Sequence, residues 1–223
     1  MRKFYFLAIA SVCFSFLSQA QIRKGSVYLG GDINISSQKE EQLMPMPGGT
    51  NSEGKNTFIY IGPAVGIAIK ENVFAGVDFL YGKSDSKYLN SPNSSKVSAL
   101  AGGIFIRRYF PLANKFYLFG QVRLGYQKRN EDQTSLVNSD RIEEDSWSVQ
   151  ANLFPGLSYN VYKSLYFEMG LNNLLQLGYL HTDRTQTSAL GGSISTESKT
   201  FNLQSDLSGN SLNIGVRFVL PKK

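Results

Sequence analysis

The sequence of 223 residues has one cysteine, Cys13, and one histidine, His181. A single cysteine excludes an intramolecular disulfide, and the cysteine and histidine spacing of a zinc site is missing. No run of 18 apolar residues occurs, which excludes a transmembrane helix. Charged residues make up 18% of the chain, and a net charge of +6 is too mild to favour nucleic acid as a partner.

The first twenty residues read as a signal peptide. A basic pair precedes an apolar run over 4–17, and Ser18-Gln19-Ala20 places small residues at positions −3 and −1 of a signal-peptidase site. We expect 1–20 to be removed and 21–223 to form one domain. Cys13 lies within the apolar run; an acylated lipoprotein cysteine is the alternative, but its early position does not suit that processing.

Glycine and aromatic residues are abundant, with 21 glycines and 13% aromatics. From Gly25 onward the dominant period is two, which is typical of strands whose two faces differ. No amphipathic helix stands out. The pattern predicts eight strands, at 25–36, 57–70, 73–84, 96–110, 115–129, 146–160, 164–179 and 208–220.

The two faces of these predicted strands differ in chemistry. One face is apolar and uncharged, whereas the other carries charges and most of the strand glycines. A soluble secreted sandwich and a membrane barrel both fit such alternation. Glycine weakens a solvated strand but makes room inside a narrow barrel, so it favours the barrel. The predicted fold is therefore all-β, a single eight-stranded antiparallel up-and-down transmembrane β-barrel.

The connections between the predicted strands alternate strictly in length. Three are short, at 70–72, 111–114 and 161–163, and four are long and polar, at 37–56, 85–95, 130–145 and 180–207. Antiparallel neighbours place all short turns at one end of a barrel and all long loops at the other. Because bacterial outer-membrane barrels have periplasmic turns and extracellular loops, we expect both termini in the periplasm. The segment 200–207 alternates weakly and could extend the last strand as a hairpin edge.

Six charged residues occupy the polar faces of the predicted strands. Because an unpaired charge is costly in a narrow interior, we predict a structural charge network in the lumen, made of Asp32, Asp78, Arg107, Arg123, Glu168 and Arg217. A selective or gated pore is the alternative, since charged rings tune ion passage.

Several aromatic residues occur toward the ends of the predicted strands. Amphipathic rings prefer the level of the lipid headgroups, so we predict interfacial girdles. Their predicted members are Tyr81, Tyr109, Phe110, Phe116, Trp147, Tyr159 and Phe218.

The segment 102–112, GGIFIRRYFPL, resembles the strand-and-turn signature of small outer-membrane β-barrel proteins of the Bacteroidota, which are similar to OmpA and OmpX barrels. Two features depart from that pattern: Arg108 stands where an aromatic is usual, and the chain continues beyond Phe218. The resemblance implies a Gram-negative outer membrane, lipid as the surrounding partner and insertion by the barrel-assembly machinery.

We expect a non-enzymatic barrel with a side-chain-filled lumen, which acts structurally or through surface interactions of its long loops. No catalytic, cofactor or metal site is predicted, and no extracellular ligand or surface partner is identified. A minor pore for small solutes is one alternative. A lipid A-modifying enzyme that uses His181 is a weaker one, because the serine-containing histidine motif of lipid A deacylases is absent: Thr182 and Asp183 follow.

Overall fold

The computed structural model describes residues 22–42, 52–88, 91–135, 140–171, 174–188, 191–205 and 212–222. The predicted signal peptide 1–20, with Cys13, lies outside the described residues. The described ranges contain ten strands: β1 Val27–Gln42, β2 Ser52–Lys70, β3 Val73–Tyr88, β4 Ser91–Ala113, β5 Phe116–Ser135, β6 Asp140–Tyr162, β7 Leu165–Leu171, β8 Leu175–Thr187, β9 Ser193–Gln204 and β10 Leu212–Leu220. Among these residues, no helix is long and apolar enough to cross a membrane.

Eight of the ten strands form a barrel-like ring. Each of β1 to β6 pairs with the strand that follows it in the chain, β7 pairs with β10, and β10 pairs with β1, all antiparallel. β8 pairs with the other half of β6, and β9 pairs with β8. The predicted all-β, antiparallel character is confirmed, whereas the count of eight uninterrupted strands is wrong.

The interruption falls in the strand predicted at 164–179. Gly156 pairs with Gly170 on β7 and Leu153 pairs with Leu175 on β8, so the register of β6 shifts by two residues between its two partners. Two residues of β6 lie between these pairings. One of the two is Pro155, which has no amide hydrogen to donate to a neighbouring strand. A register shift of two residues leaves the alternation of side chains unchanged, so β7 and β8 keep their apolar residues on the same face.

The predicted long polar loops are largely strands. The hairpin β3–β4 extends to Tyr88 and Ser91, and β5–β6 extends to Ser135 and Asp140. The predicted loop 180–207 contains the second half of β8 and the whole of β9. These extensions are mostly polar on both faces, so they lack the regular alternation that reveals a half-buried strand.

Three two-residue turns close the opposite end of the ring, where the sequence predicts short connections. Asn72, Lys115 and Lys163 each have a positive φ, of 58°, 69° and 43°. This conformation matches the twist of tight hairpins and is well suited to Asn72. The N-terminal segment is attached here, since the Ile22 amide donates to Asn72 Oδ1 at 2.8 Å.

The ring is apolar outside and packed with polar and aromatic groups inside. Val77, Ile104 and Val122 are outward residues with exposed fractions of 52%, 60% and 58%. Seven inward aromatic residues are almost completely buried: Tyr28, Phe74, Phe105, Tyr109, Tyr117, Phe119 and Tyr166. A soluble protein buries its apolar faces instead, so this arrangement suits a lipid environment.

One side of the ring is only partly paired. β1 and β10 pair at three positions, which end at Leu29 and Phe218. Within the described ranges, β1 beyond Leu29 pairs with β2 alone, and β9 pairs with β8 alone. The side chain of Arg217 spans this part of the junction and donates from Nη1 to the Gly31 carbonyl at 2.7 Å.

Candidate functional site: the filled lumen

The centre of the lumen is occupied by a buried ion pair between β4 and β7. Arg107 Nη1 donates to Glu168 Oε2 at 2.6 Å, and the two side chains are only 6% and 4% exposed. The Tyr109 hydroxyl donates to Glu168 Oε1 at 2.6 Å, and Arg107 Nε donates to Gln121 Oε1 at 2.8 Å. Both carboxylate oxygens are thereby satisfied across the width of the ring, as a buried charge requires.

Aromatic rings enclose this ion pair. The Arg107 guanidinium carbon lies 4.5 Å from the ring centroid of Phe119 and 4.9 Å from that of Tyr28. The aromatic faces favour the cation electrostatically and exclude water from it. Toward the turn end, Tyr109 contacts Tyr117 and Tyr166 at centroid distances of 5.9 Å and 6.4 Å. Ion pair and rings together form a buried layer inside the ring.

Arg217 on β10 links the ion pair to the wall of the ring. Its Nη2 donates to Asp32 Oδ1 at 2.8 Å, and its Nε lies 3.6 Å from Glu168 Oε2. Since its Nη1 also donates to the Gly31 carbonyl, one guanidinium hydrogen-bonds two groups on β1 and lies beside a carboxylate on β7. Glu168 therefore faces two guanidinium groups, Arg107 and Arg217.

A separate ion pair lies nearer the hairpin end. Arg123 donates from Nε and Nη2 to Asp78, with distances of 2.9 Å and 2.6 Å to Oδ1. Glycine makes this possible: a Cβ on Gly103 would lie 2.9 Å from Arg123 Cζ, and one on Gly125 would lie 2.7 Å from the same atom. The inward glycines therefore provide space for large side chains of neighbouring strands, which explains their concentration on this face.

The structure places all six residues of the predicted charge network inside the ring and joins them in three pairs. The pairs are Arg107–Glu168, Arg123–Asp78 and Arg217–Asp32, and Arg217 connects the last to the first. The sequence argument missed the buried aromatic cluster around them. The sequence does contain a signal for this cluster, because bulky rings such as Phe105 and Phe119 share the inward face with many glycines.

A family comparison decides the class of the protein. The model of the outer membrane protein beta-barrel domain matches residues 6–219, almost the whole chain. The chain belongs to this family. The apolar exterior and the buried charged and aromatic interior of the ring agree with this assignment to the outer-membrane β-barrel domain. A search of curated proteins finds no match.

A solved structure similar to this outer-membrane β-barrel is the translocator domain of autotransporter NalP from Neisseria meningitidis. The two share 17% sequence identity at a TM-score of 0.44, and the match covers 100% of this chain and 77% of the other.

Six of the seven aromatic residues predicted for the girdles lie on the outside of the barrel. Their exposed fractions range from 36% to 49%, and they are Tyr81, Phe110, Phe116, Trp147, Tyr159 and Phe218. Tyr109 is the exception, because it is 1% exposed and bonds Glu168 within the lumen. Its assignment to a girdle is wrong: proximity to a strand end suggested an interface, but the parity of β4 directs it inward.

His181 lies on the outside of the barrel, on β8. Its ring stacks on Trp147 with a centroid distance of 5.4 Å, and its Nε2 lies 3.1 Å from Asp183 Oδ2. Its Nδ1 lies 3.7 Å from Glu197 Oε1. The described contacts of His181 are thus an indole and two carboxylates, and Lys199 lies directly across the strand pair. A serine hydroxyl, which the serine–histidine pair of a hydrolase requires, is not among these described neighbours.

Proposed function

We propose that this outer-membrane β-barrel is a non-enzymatic and non-conducting anchor, an eight-stranded transmembrane barrel that displays its long hairpins outside the cell. In this proposal the three tight turns and both termini lie in the periplasm. The apolar exterior contacts lipid, and the barrel-assembly machinery inserts the chain. The resemblance of 102–112 to barrels of the Bacteroidota and to OmpA and OmpX is consistent with this role.

The filled lumen is the observation that carries the proposal. An eight-stranded barrel has an interior just wide enough for its own side chains. Here that space holds the Arg107–Glu168 pair, the ring of Phe119 and the buried tyrosines, several of them less than 7% exposed. A minor pore needs a continuous aqueous path, and these groups lie across it.

The hairpins supply the surface for interaction. Trp147 belongs to the predicted aromatic girdle nearer the long hairpins. β6 begins seven residues before it, at Asp140. At about 3.3 Å per residue, the β5–β6 hairpin rises about 23 Å beyond the girdle. Its outward residues are charged, with Arg141 within 3.0 Å of both Asp132 and Glu143. Such strands are exposed to solvent and suit contact with a partner.

Planar-bilayer recording tests the lumen claim. Purified full-length protein, reconstituted in a bilayer, is expected to give no steady conductance, because the buried ion pair and aromatic rings block the path. Heat-modifiable mobility on gels provides the control, since it verifies that the reconstituted barrel is folded. A stable open channel from folded protein would support the pore function instead.

A further inference from the structure

The inward faces of β5, β6, β8 and β9 line a recess toward the hairpin end of the ring. Its volume is about 270 Å³, and most of the lining is neutral and polar: Gln127, Ser146, Ser148, Gln150, Gln176 and Asn202. We propose that this amide recess binds one neutral sugar ring, a hexopyranose, at the outside of the cell. The inference rests on the proposed orientation, in which the hairpin end of the ring points away from the cell.

The strand register arranges the lining of the amide recess in inward rows. Directly paired residues of antiparallel neighbours share a face of the sheet. The row of Ser146 lies nearest the hairpin ends, the row of Ser148 is next, and the rows of Gln150 and Gln176 follow toward the turns. Successive rows are two residues apart along each strand, a rise of about 7 Å. The recess is therefore a depression in the inner wall rather than a patch on the lipid-facing surface.

The recess ends at the buried layer of the lumen. Gln176 lies in the same row as Arg123, and Arg107 pairs with Gln121, one row further toward the turns. The Arg107–Glu168 ion pair therefore lies below the amide recess. A ligand that enters from the hairpin end stays at this mouth, which is compatible with a barrel that does not conduct.

A chain of hydrogen bonds orients the amides. Gln176 Nε2 donates to Gln150 Oε1 at 3.1 Å, and Gln150 Nε2 donates to Ser148 Oγ at 3.0 Å. Each link uses one N–H, whereas a primary amide has two N–H groups and a carbonyl oxygen with two lone pairs. The chain thus fixes the two side chains while each keeps donor and acceptor capacity side by side. Neighbouring sugar hydroxyls, which both donate and accept, complement that arrangement.

Gly178 and Leu180 determine the shape of the recess. A Cβ on Gly178 would lie 2.8 Å from Asn202 Oδ1, so the absent side chain makes room for the Asn202 amide. Leu180 pairs with Ser148 on the inward face and is 39% exposed, so it offers an apolar surface to the C–H groups of a sugar ring. Pockets for drug-sized ligands have about 300–1,000 Å³, and about 270 Å³ suits one ring better than a chain.

The charges in the lining favour a neutral ligand. The two charged residues are Arg129 and Glu144, one of each sign. Arg129 Nη2 donates to Glu131 Oε2 at 2.6 Å. Glu144 lies directly opposite Arg184 in the strand register. Because each charge already has an opposite charge beside it, an acidic or an amino sugar would have to compete with a group of the protein, whereas a neutral sugar would not.

Titration with methyl glycosides tests the proposal. Full-length protein, in a detergent without a sugar headgroup, is titrated with methyl glucoside and methyl galactoside, and then with the methyl glycosides of glucuronic acid and glucosamine. Saturation-transfer NMR measures the binding. We expect saturable binding of at least one neutral glycoside, at concentrations about tenfold lower than either charged analogue requires. No saturable binding of the neutral glycosides, or equal binding of the charged ones, would overturn the proposal.

A small neutral peptide distinguishes a sugar site from a general amide site. N-acetylalanine methylamide also donates and accepts hydrogen bonds, but it lacks adjacent hydroxyls. We expect it to leave the bound glycoside in place. Displacement of the glycoside at equal concentration would show that the recess binds peptide groups, and it would overturn the assignment to a sugar.

Paired variants locate the binding in the recess. Gln150→Leu/Gln176→Leu removes both amides at similar volume and is expected to weaken glycoside binding about tenfold or more, since each hydrogen bond contributes roughly a factor of five. The matched control is Gln133→Leu/Gln186→Leu, the same change on β5 and β8 outside the lining, and it should bind as wild type does. Wild-type affinity of the first variant, or equal losses in both, would contradict the proposal.

Heat-modifiable mobility is measured on every preparation. If Gln150→Leu/Gln176→Leu does not fold, Gln127→Leu replaces it, because it leaves the hydrogen-bond chain intact; about fivefold weaker binding is expected, and unchanged binding would contradict the proposal. Purified lipopolysaccharide of the expression host identifies the source of the sugar: its displacement of the glycoside indicates a membrane glycolipid, and no displacement indicates a soluble sugar. A folded barrel that binds no glycoside overturns only this inference, whereas a steady bilayer conductance overturns the proposed function.

Discussion

Replacing Glu168 with glutamine is expected to destabilise the barrel by about 3–5 kcal/mol, the cost of removing one partner from a buried ion pair. The amide keeps the shape of the side chain but carries no charge. Arg107 would then be a buried cation without a carboxylate, since its side chain is 6% exposed. The free energy of unfolding, measured in urea through loss of heat-modifiable mobility, reports the change.

The same chemical change at Asp32 serves as the control. Asp32 also pairs with an arginine, but its side chain is 36% exposed, and Arg217 would keep its bonds to Gly31 and its proximity to Glu168. We therefore expect Asp32→Asn to cost about 1 kcal/mol or less. The double variant Arg107→Met/Glu168→Met should recover much of the stability, because it leaves no unpaired charge. Equal costs at Glu168 and Asp32 would refute the central role of the buried pair.

A single methyl group at Gly76 is expected to destabilise the barrel by about 1–3 kcal/mol or to prevent its assembly. A Cβ at this position would collide with Phe105 Cζ and the Val65 carbonyl oxygen, and it would lie 2.8 Å from Gly66 Cα. Two of these three atoms belong to the backbone of the neighbouring strand, so β2 itself must shift. The yield of heat-modifiable protein after refolding, with urea unfolding of the folded fraction, measures the effect of Gly76→Ala.

Gly120 provides a matched position on the outer face. A Cβ there meets no atom within 4 Å. Gly120→Ala is therefore expected to be neutral or to stabilise by up to about 1 kcal/mol, because alanine lowers the entropy of the unfolded chain. If both substitutions had the same effect, the argument that inward glycines accommodate lumen side chains would be wrong.

The alternation of the sequence predicted which side of the barrel wall each strand residue faces. It identified the inward face of β4 and β5, and with it the location of Arg107 and Arg123. It did not predict which acid each arginine contacts, because pairing across the lumen depends on the stagger of the strands around the ring. Parity determines the side of the wall on which a residue lies, whereas stagger determines the residues that meet across the lumen.

The sequence was least informative where the two faces of a strand are alike. Beyond Tyr179 and Phe201 the β8–β9 hairpin is mostly polar on both faces, and β9 is exposed along almost its whole length. Strand formation there follows from continued pairing with β8 rather than from burial of an apolar stripe. Tyr109 shows the opposite difficulty, because an aromatic near a turn suits an interface, and only its parity and the partner Glu168 reveal that it belongs to the lumen.

Cysteine accessibility along β6 tests the account most directly. Leu157→Cys faces outward and Ser158→Cys faces the filled lumen, where Ser158 is 1% exposed; both are placed in a Cys13→Ser background. In reconstituted protein, a lipid-soluble thiol reagent is expected to label position 157, while neither that reagent nor a water-soluble one labels position 158. Rapid labelling of position 158 by the water-soluble reagent would reveal an open channel, and water-soluble labelling of position 157 would contradict the lipid-facing exterior.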